Sequence, residues 1–357
     1  MKIHNFSAGP CILPQEVFEK AAQAVLNLDN SGLSILEISH RSDAFIAILE
    51  EAKALVLELM NLENQGYEVL FLQGGASMEF LRVPYNLLAQ NQKAAYLDSG
   101  LWAANAIKEA KSFGEVEIIA SSKDENYNFI PKNYKIPEDA AYFHCTSNNT
   151  IYGTQMKNFP ETNIPVVCDM SSDIFSKAID YSYFDLIYAG AQKNMGPAGV
   201  TLIVIKKDIL RKSGRKIPSI LDYQKHIDAK SMFNTPNVFA IYTSLLNLRW
   251  LKKSGGISKL QEKNEAKANL LYTEIDRNPL FEGTANAEDR SMMNATFVLK
   301  DSRLTNKFAQ ICESKGISGI LGHRTVGGYR ASLYNALQLE SVHVLVNAMQ
   351  ELEKYTN

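Results

Sequence analysis

The sequence predicts an α/β fold: a large domain built on a mostly parallel sheet flanked by helices, with a smaller α+β domain after it. Short runs that are apolar throughout alternate with longer segments of helical spacing up to about residue 235. Strands covered on both faces read this way, and such strands belong to parallel sheets sandwiched between helices. Beyond residue 235 the texture changes to long amphipathic segments, and the rest of the chain mixes short apolar runs with helical ones. With 357 residues, 46% of them hydrophobic, the chain can build a sizeable core in a large domain plus a smaller one.

VLFL (69–72) reads as a buried strand that ends in the turn QGGAS, and MEFLRVPYNLLA then repeats apolar residues at helical spacing. AAYL (94–97) is the next strand, followed by a helix around WAANAIKEAKSF. VEIIA (116–120), AYFHC (141–145), PVVCDM (165–170), DLIYAG (185–190) and VTLIVI (200–205) continue the series of strands. Two long amphipathic helices follow, over NVFAIYTSLLNLRWLKKSGG and ISKLQEKNEAKANLLYTEIDRN, the second of them linking the two domains. MNATFVL, a helix over LTNKFAQICESKG, YRASLYNA and a last helix over ESVHVLVNAMQELEKY make up a smaller unit that starts near residue 260. The N-terminal arm with its Gly9-Pro10 turn, and the loop SGLSILEISHRS, show no period that assigns them an element.

Charge narrows the function classes. Basic residues number 37 and acidic residues 39, so there is no electrostatic reason to expect nucleic acid or an anionic membrane as partner. Small-molecule chemistry is the expectation. The four cysteines (Cys11, Cys145, Cys168, Cys312) lie far apart with no CxxC pair, which suits a reducing compartment. MKIHNFSAGP lacks the apolar stretch of a signal peptide and no run is long enough to cross a bilayer, so a soluble cytoplasmic protein is expected. No metal site is assigned.

The stretch AGAQKNMGPAG (189–199) places a lysine, Lys193, in a glycine-rich turn between two apolar strands. An amine at such a sheet edge, desolvated by its surroundings, has a lowered pKa and becomes nucleophilic toward aldehydes, as a Schiff-base lysine must. Asp169 ends an earlier strand, at the carboxyl edge where open α/β sheets bind ligands, and can face a pyridinium nitrogen. Gly74-Gly75-Ala76-Ser77 lies after a strand and opens a helix, which suits a phosphate cradle without being a P-loop. Taken singly, each feature has an ordinary reading. Lys193 could be a surface lysine, Asp169 a cap, Trp102 core filler and the glycine turn a plain strand-to-helix connection. Taken together they are what a pyridoxal phosphate site requires.

The motifs SAGP (7–10), SHR (39–41), QGGAS (73–77), DSGLWA (98–103), CDMSSD (168–173), YAGAQKNMGPAG (188–199), SMFNTP (231–236) and GHRTVGGYRASLYNA (322–336) closely resemble the phosphoserine aminotransferase family, class V of the pyridoxal phosphate-dependent aminotransferases. They span nearly the whole chain in family order. The resemblance implies a fold type I enzyme, with residues 15–258 as the large cofactor-binding domain and residues 1–14 with 259–357 as the small one. It implies pyridoxal 5′-phosphate as cofactor and a ping-pong transfer of an amino group between L-glutamate and 3-phosphohydroxypyruvate, giving 2-oxoglutarate and phosphoserine in serine biosynthesis. A second family substrate is 4-phosphohydroxythreonine, in pyridoxine biosynthesis, and the sequence leaves the preference between the two open.

By the same resemblance Lys193 matches the lysine that binds the cofactor covalently, Asp169 the carboxylate at the pyridine nitrogen, Trp102 the ring stacked on it and Thr150 the hydroxyl near its phenolic oxygen. Ala76, Ser77 and Gln192 match phosphate contacts from one subunit, and Asn234 and Thr235 those from the other subunit of a homodimer. Arg330 matches the clamp for the substrate's α-carboxylate, while His40, Arg41, His323 and Arg324 match the cluster for its distal anion. Forked guanidinium donors suit both tasks. Some bacterial relatives carry arginine where this chain has Ser77, which leaves the distal anion more dependent on Arg41 and its neighbours. A cysteine desulfurase would need a nucleophilic cysteine on a mobile loop, and a silent α/β binding protein would not need the lysine, the acid and the arginines together.

Overall fold

The computed structural model describes residues 2–356. In chain order it contains β1 (His4–Asn5), α1 (Gln15–Leu26), α2 (Asp43–Met60), β2 (Tyr67–Leu72), α3 (Gly75–Leu87), β3 (Lys93–Asp98), α4 (Leu101–Ala110) and β4 (Glu115–Ser121). Next come β5 (Phe143–Thr146), the short ribbon β6 (Asn148–Asn149) and β7 (Thr154–Gln155), then β8 (Val166–Asp169), β9 (Leu186–Gly190), α5 (Ala191–Asn194) and β10 (Thr201–Lys206). The rest of the chain forms α6 (Tyr223–Asp228), α7 (Val238–Lys253), α8 (Gly256–Arg277), β11 (Phe281–Gly283), β12 (Asn294–Leu299), α9 (Thr305–Ser314), β13 (Ile317–Ser318), β14 (Tyr329–Ser332) and α10 (Leu339–Thr356).

Seven strands form the main sheet in the order β2-β10-β9-β8-β5-β3-β4. All neighbours pair in parallel except β10, which runs antiparallel to both β2 and β9. The reason is the length of the link: only residues 191–200 separate β9 from β10, too few for the crossover that a parallel pair needs. Side chains alternate between faces, as the two-residue strand period requires. Val69, Phe71, Phe143, Cys168 and Ile187 enter the core on one face with α1, α2 and α7, and Leu70, Tyr96, Tyr142, Val167 and Tyr188 enter the core on the other with α3, α4 and α6. One strand departs from the sequence expectation. β4 is the sheet edge, and Ile118 is 43% exposed, so VEIIA is not covered on both faces.

The helices α1 and α2 fall where sequence periodicity assigned nothing. Ser42 caps α2 by accepting a hydrogen bond from the Phe45 N–H, and Asn61 in the left-handed conformation closes it. A separate core gathers Phe6, Leu271, Phe297, Phe308, Ala331 and Leu345 around the small sheet β11-β12-β14. β1 joins this unit by pairing in parallel with β13. Among the described residues no helix is long and apolar enough to cross a membrane.

Candidate active site

Because β2, β3, β5, β8 and β9 all run the same way, their carboxyl ends lie along one edge, the ligand edge of an open α/β sheet. Asp169 is the last residue of β8, Lys193 follows β9 on α5, Thr150 follows the β6 strand beyond β5, Trp102 opens α4 after β3, and Ala76 and Ser77 open α3 after β2. Topology alone therefore brings together side chains that are up to 117 residues apart in the sequence.

Lys193 is half-buried, and its Nζ donates to Thr150 Oγ1 at 2.7 Å. The same nitrogen lies 5.6 Å from the centre of the Trp102 ring. Burial pushes its ammonium down to about 8, the nearby Arg330 charge adds to this, and Asp169 and Asp173 work against it. Asp169 is 5% exposed, and its Oδ1 accepts from the Ser171 N–H at 2.9 Å and from Ser171 Oγ at 2.6 Å. Its Oδ2 receives no hydrogen bond among the described residues. Burial raises the carboxyl above its ordinary range, while Lys193 and Ser171 pull it back. The two groups thus hold each other's charge in a poorly solvated edge.

At the start of α3, Gly74 has φ 116° and Gly75 φ 68°, and no side chain caps the helix. A Cβ on Gly74 would stand 2.6 Å from Met78 Cβ. The first N–H groups of the helix are therefore bare donors beside small residues, as an anion site needs. Gln192 is half-buried next to Lys193. Asn234 and Thr235 are exposed, and in this chain they meet Gln73, just ahead of the turn: Asn234 Nδ2 donates to Gln73 Oε1 at 2.8 Å and Gln73 Nε2 to the Thr235 carbonyl at 3.0 Å.

Arg330 lies on β14 of the small sheet, and its Nε is buried without a hydrogen-bond partner. Burial pulls its guanidinium below the ordinary range. A buried guanidinium nitrogen without a partner is costly unless an anion completes it. His323 is lowered by burial and then by the charges of Arg330 and Arg324, so these three share one neighbourhood. His40 and Arg41 stand apart, in the turn before α2, and no hydrogen bond or salt bridge joins their side chains to the residues above among those described.

Several contributors carried no assignment from the sequence. Ser171 is legible afterwards as the serine two residues beyond an aspartate, a spacing that lets both N–H and hydroxyl return to the carboxylate. Asp173, buried behind Asp169, accepts from Ser147 Oγ and from Gln155 Nε2 at 3.0 Å, while the Ser147 N–H donates to the Asp169 carbonyl at 3.0 Å. The N-terminal arm covers the lysine helix: the Cys11 N–H donates to the Gln192 carbonyl at 3.1 Å and its thiol to the Lys193 carbonyl. Nothing in the arm's composition announces this contact, which depends on chain 182 residues away. Burial pushes the Cys11 thiol up to about 12, and the other three cysteines are buried, so none is the exposed thiolate a desulfurase uses.

The sequence model of the aminotransferase class-V family matches residues 3–345. The chain is 70% identical over 353 residues to the phosphoserine aminotransferase of Flavobacterium psychrophilum and 66% identical to that of Flavobacterium johnsoniae, each alignment covering 99% of both chains. The chain belongs to the phosphoserine aminotransferase family. Among solved structures, the phosphoserine aminotransferase of Bacillus circulans subsp. alkalophilus matches with a TM-score of 0.96 at 41% identity, over 100% of this chain and 99% of that one. The PLP-bound phosphoserine aminotransferase of Trichomonas vaginalis matches with a TM-score of 0.93 at 35% identity, over 98% of this chain and 100% of that one. The fold is thus the family's, a large domain with a mostly parallel sheet and a smaller one beside it.

Proposed function

We propose that the chain transfers the amino group between L-glutamate and 3-phosphohydroxypyruvate, giving 2-oxoglutarate and O-phospho-L-serine, with pyridoxal 5′-phosphate as cofactor. The observation that carries this reading is the placement of Lys193, an amine brought down to about 8 between Thr150, Trp102 and the charges of Asp169 and Arg330. The residues fit the cofactor: the uncapped α3 N-terminus with Ala76, Ser77 and Gln192 would take its phosphate, the free Oδ2 of Asp169 its ring nitrogen, Trp102 its ring face and Thr150 its phenolic oxygen. When bound, pyridoxal phosphate supplies a carbonyl that condenses with amines and a ring that draws electrons from the substrate's Cα.

The chain's own residues do the rest. Arg330, with its unpartnered Nε, grips the α-carboxylate and so orients the Cα–H bond. Lys193 takes the proton from Cα as general base, a role for which an amine near 8 is well matched. Asp169 holds a proton at the ring nitrogen by its charge. His40, Arg41, His323 and Arg324 receive the distal carboxylate or phosphate. The active form is a cytoplasmic homodimer in which Asn234 and Thr235 reach the phosphate site of the partner subunit, in keeping with their exposure. Residues 15–258 form the cofactor-binding domain and residues 1–14 with 259–357 the small one, a reading supported by the second core of Phe6, Leu271, Phe297 and Leu345, although Leu13 and Leu260 pack into the core of the large domain.

The test is direct. Purified protein supplied with pyridoxal phosphate, L-glutamate and 3-phosphohydroxypyruvate should form 2-oxoglutarate and phosphoserine in equal amounts, and a protein that forms neither is something else. The same assay run in parallel with the keto acid of 4-phosphohydroxythreonine ranks the two family substrates.

A further inference from the structure

We propose that Lys267 is a positioning residue: from α8 it fixes the chain leaving β14 and so keeps Arg330 in register with Lys193. This rests on the transamination reading above. Lys267 is 1% exposed, and its Nζ donates to two consecutive backbone carbonyls, Leu333 and Tyr334, each at 2.7 Å. No carboxylate pairs with it among the described residues. Burial, with some repulsion from Lys263, pushes its ammonium down to about 7. A methionine would fill the same space without burying a charge, so what sets the lysine apart is what it holds.

What it holds lies three and four residues beyond Arg330. The Leu333 carbonyl has no other donor among the described residues, while the Leu333 N–H donates to the Met293 carbonyl at 2.7 Å. The Tyr334 hydroxyl donates to the Ala8 carbonyl at 2.8 Å, in the arm that covers the lysine helix. One turn earlier on the same face of α8, Asn264 Nδ2 donates to Asn335 Oδ1 at 2.8 Å and to the Ser176 carbonyl at 3.0 Å. The Asn335 N–H in turn donates to Oδ1 of Asn194, the residue next to Lys193, at 2.9 Å. Two side chains of one helix therefore clamp the exit of the arginine's strand and its junction with the lysine's short helix.

The consequence is geometric. Arg330 holds the carboxylate attached to Cα and Lys193 meets the proton on the same carbon, so their separation must match one substrate. A misplacement of about 1 Å can lower the rate about 100-fold.

The experiment compares the wild-type holoenzyme with Lys267→Met. Pyridoxal phosphate affinity and absorbance should stay at wild-type values, while KM for L-glutamate rises about tenfold or more and kcat falls. A lysine that served stability alone would lower the melting temperature and leave KM unchanged, and that result overturns the proposal. Asn264→Ala removes the companion bond without touching the buried charge and carries the same expectation. If Lys267→Met does not fold, a wild-type KM in Asn264→Ala overturns the proposal in its place. Absence of transamination in the wild-type protein would instead sink the functional reading, so the two failures are distinct.

Discussion

Lys193 and Arg330 carry the sharpest expectations. Burial brings the Lys193 ammonium from 10.5 to about 8. Acylation of cofactor-free protein should therefore label Lys193 with a half-maximal rate near pH 8, whereas titration of that site with ordinary lysines counts against a desolvated amine. The sign for stability follows from the same shift. Between about pH 8 and 10.5 the unfolded chain binds the proton that the folded chain has released, so this group's contribution to stability rises with pH across that window. Arg330→Ala removes the half-buried guanidinium whose buried Nε has no partner. It should raise KM for L-glutamate by roughly 10- to 100-fold, the worth of a charge-assisted pair, and an unchanged KM would remove Arg330 from the carboxylate site.

Among the elements, α3 shows how a buried face aims a binding end. Glu79 and Arg82 pair inside the protein at 2.6 Å, and the Tyr223 hydroxyl donates to the second Glu79 oxygen at 2.6 Å. Arg82 Nη2 also donates to the Gln73 carbonyl at 3.1 Å, tying the helix body to the turn ahead of Ala76 and Ser77. Arg82→Met leaves the Glu79 carboxylate without its cation, and denaturant unfolding should show a loss of about 3–5 kcal/mol; a loss within experimental error would mean that Glu79 is held neutral. Elements of this domain were readable to different degrees. The central strands announce themselves because burial on both faces demands unbroken apolar runs, and the long helices because of their 3.6-residue period. α1 escaped because no side chain caps its start after Pro14, α2 because its cap at Ser42 closes the irregular stretch over residues 28–42, and the antiparallel sense of β10 follows from the shortness of a connection rather than from its composition.

Taken as a whole molecule, the protein exposes apolar side chains beside its binding elements: Leu36 is 63% exposed and Phe233 42%. With Asn234 and Thr235 facing outward next to Phe233, a two-fold dimer that shares its sites is the arrangement proposed above. Complementation tests it. Lys193→Ala and an Asn234→Ala, Thr235→Ala double variant should each be inactive as homodimers. Mixed after unfolding and refolding, they should recover about a quarter of wild-type activity, since half of the dimers are hybrid and each hybrid has one intact site. No recovery would place Asn234 and Thr235 in the site of their own subunit. The amino-acid order already carried the chemistry to be expected, because glycines at a turn, an acid at a strand end and a lysine in a small-residue loop, each ordinary by itself, together match a pyridoxal phosphate site. It did not contain the distances. The partner of the Lys193 carbonyl comes from the arm, the donor to the chain just beyond the strand of Arg330 comes from Lys267, and the depression of both amines comes from how much chain closes over them. Contacts between segments so far apart, and the desolvation they cause, exist only once the sheet and its covering helices have assembled.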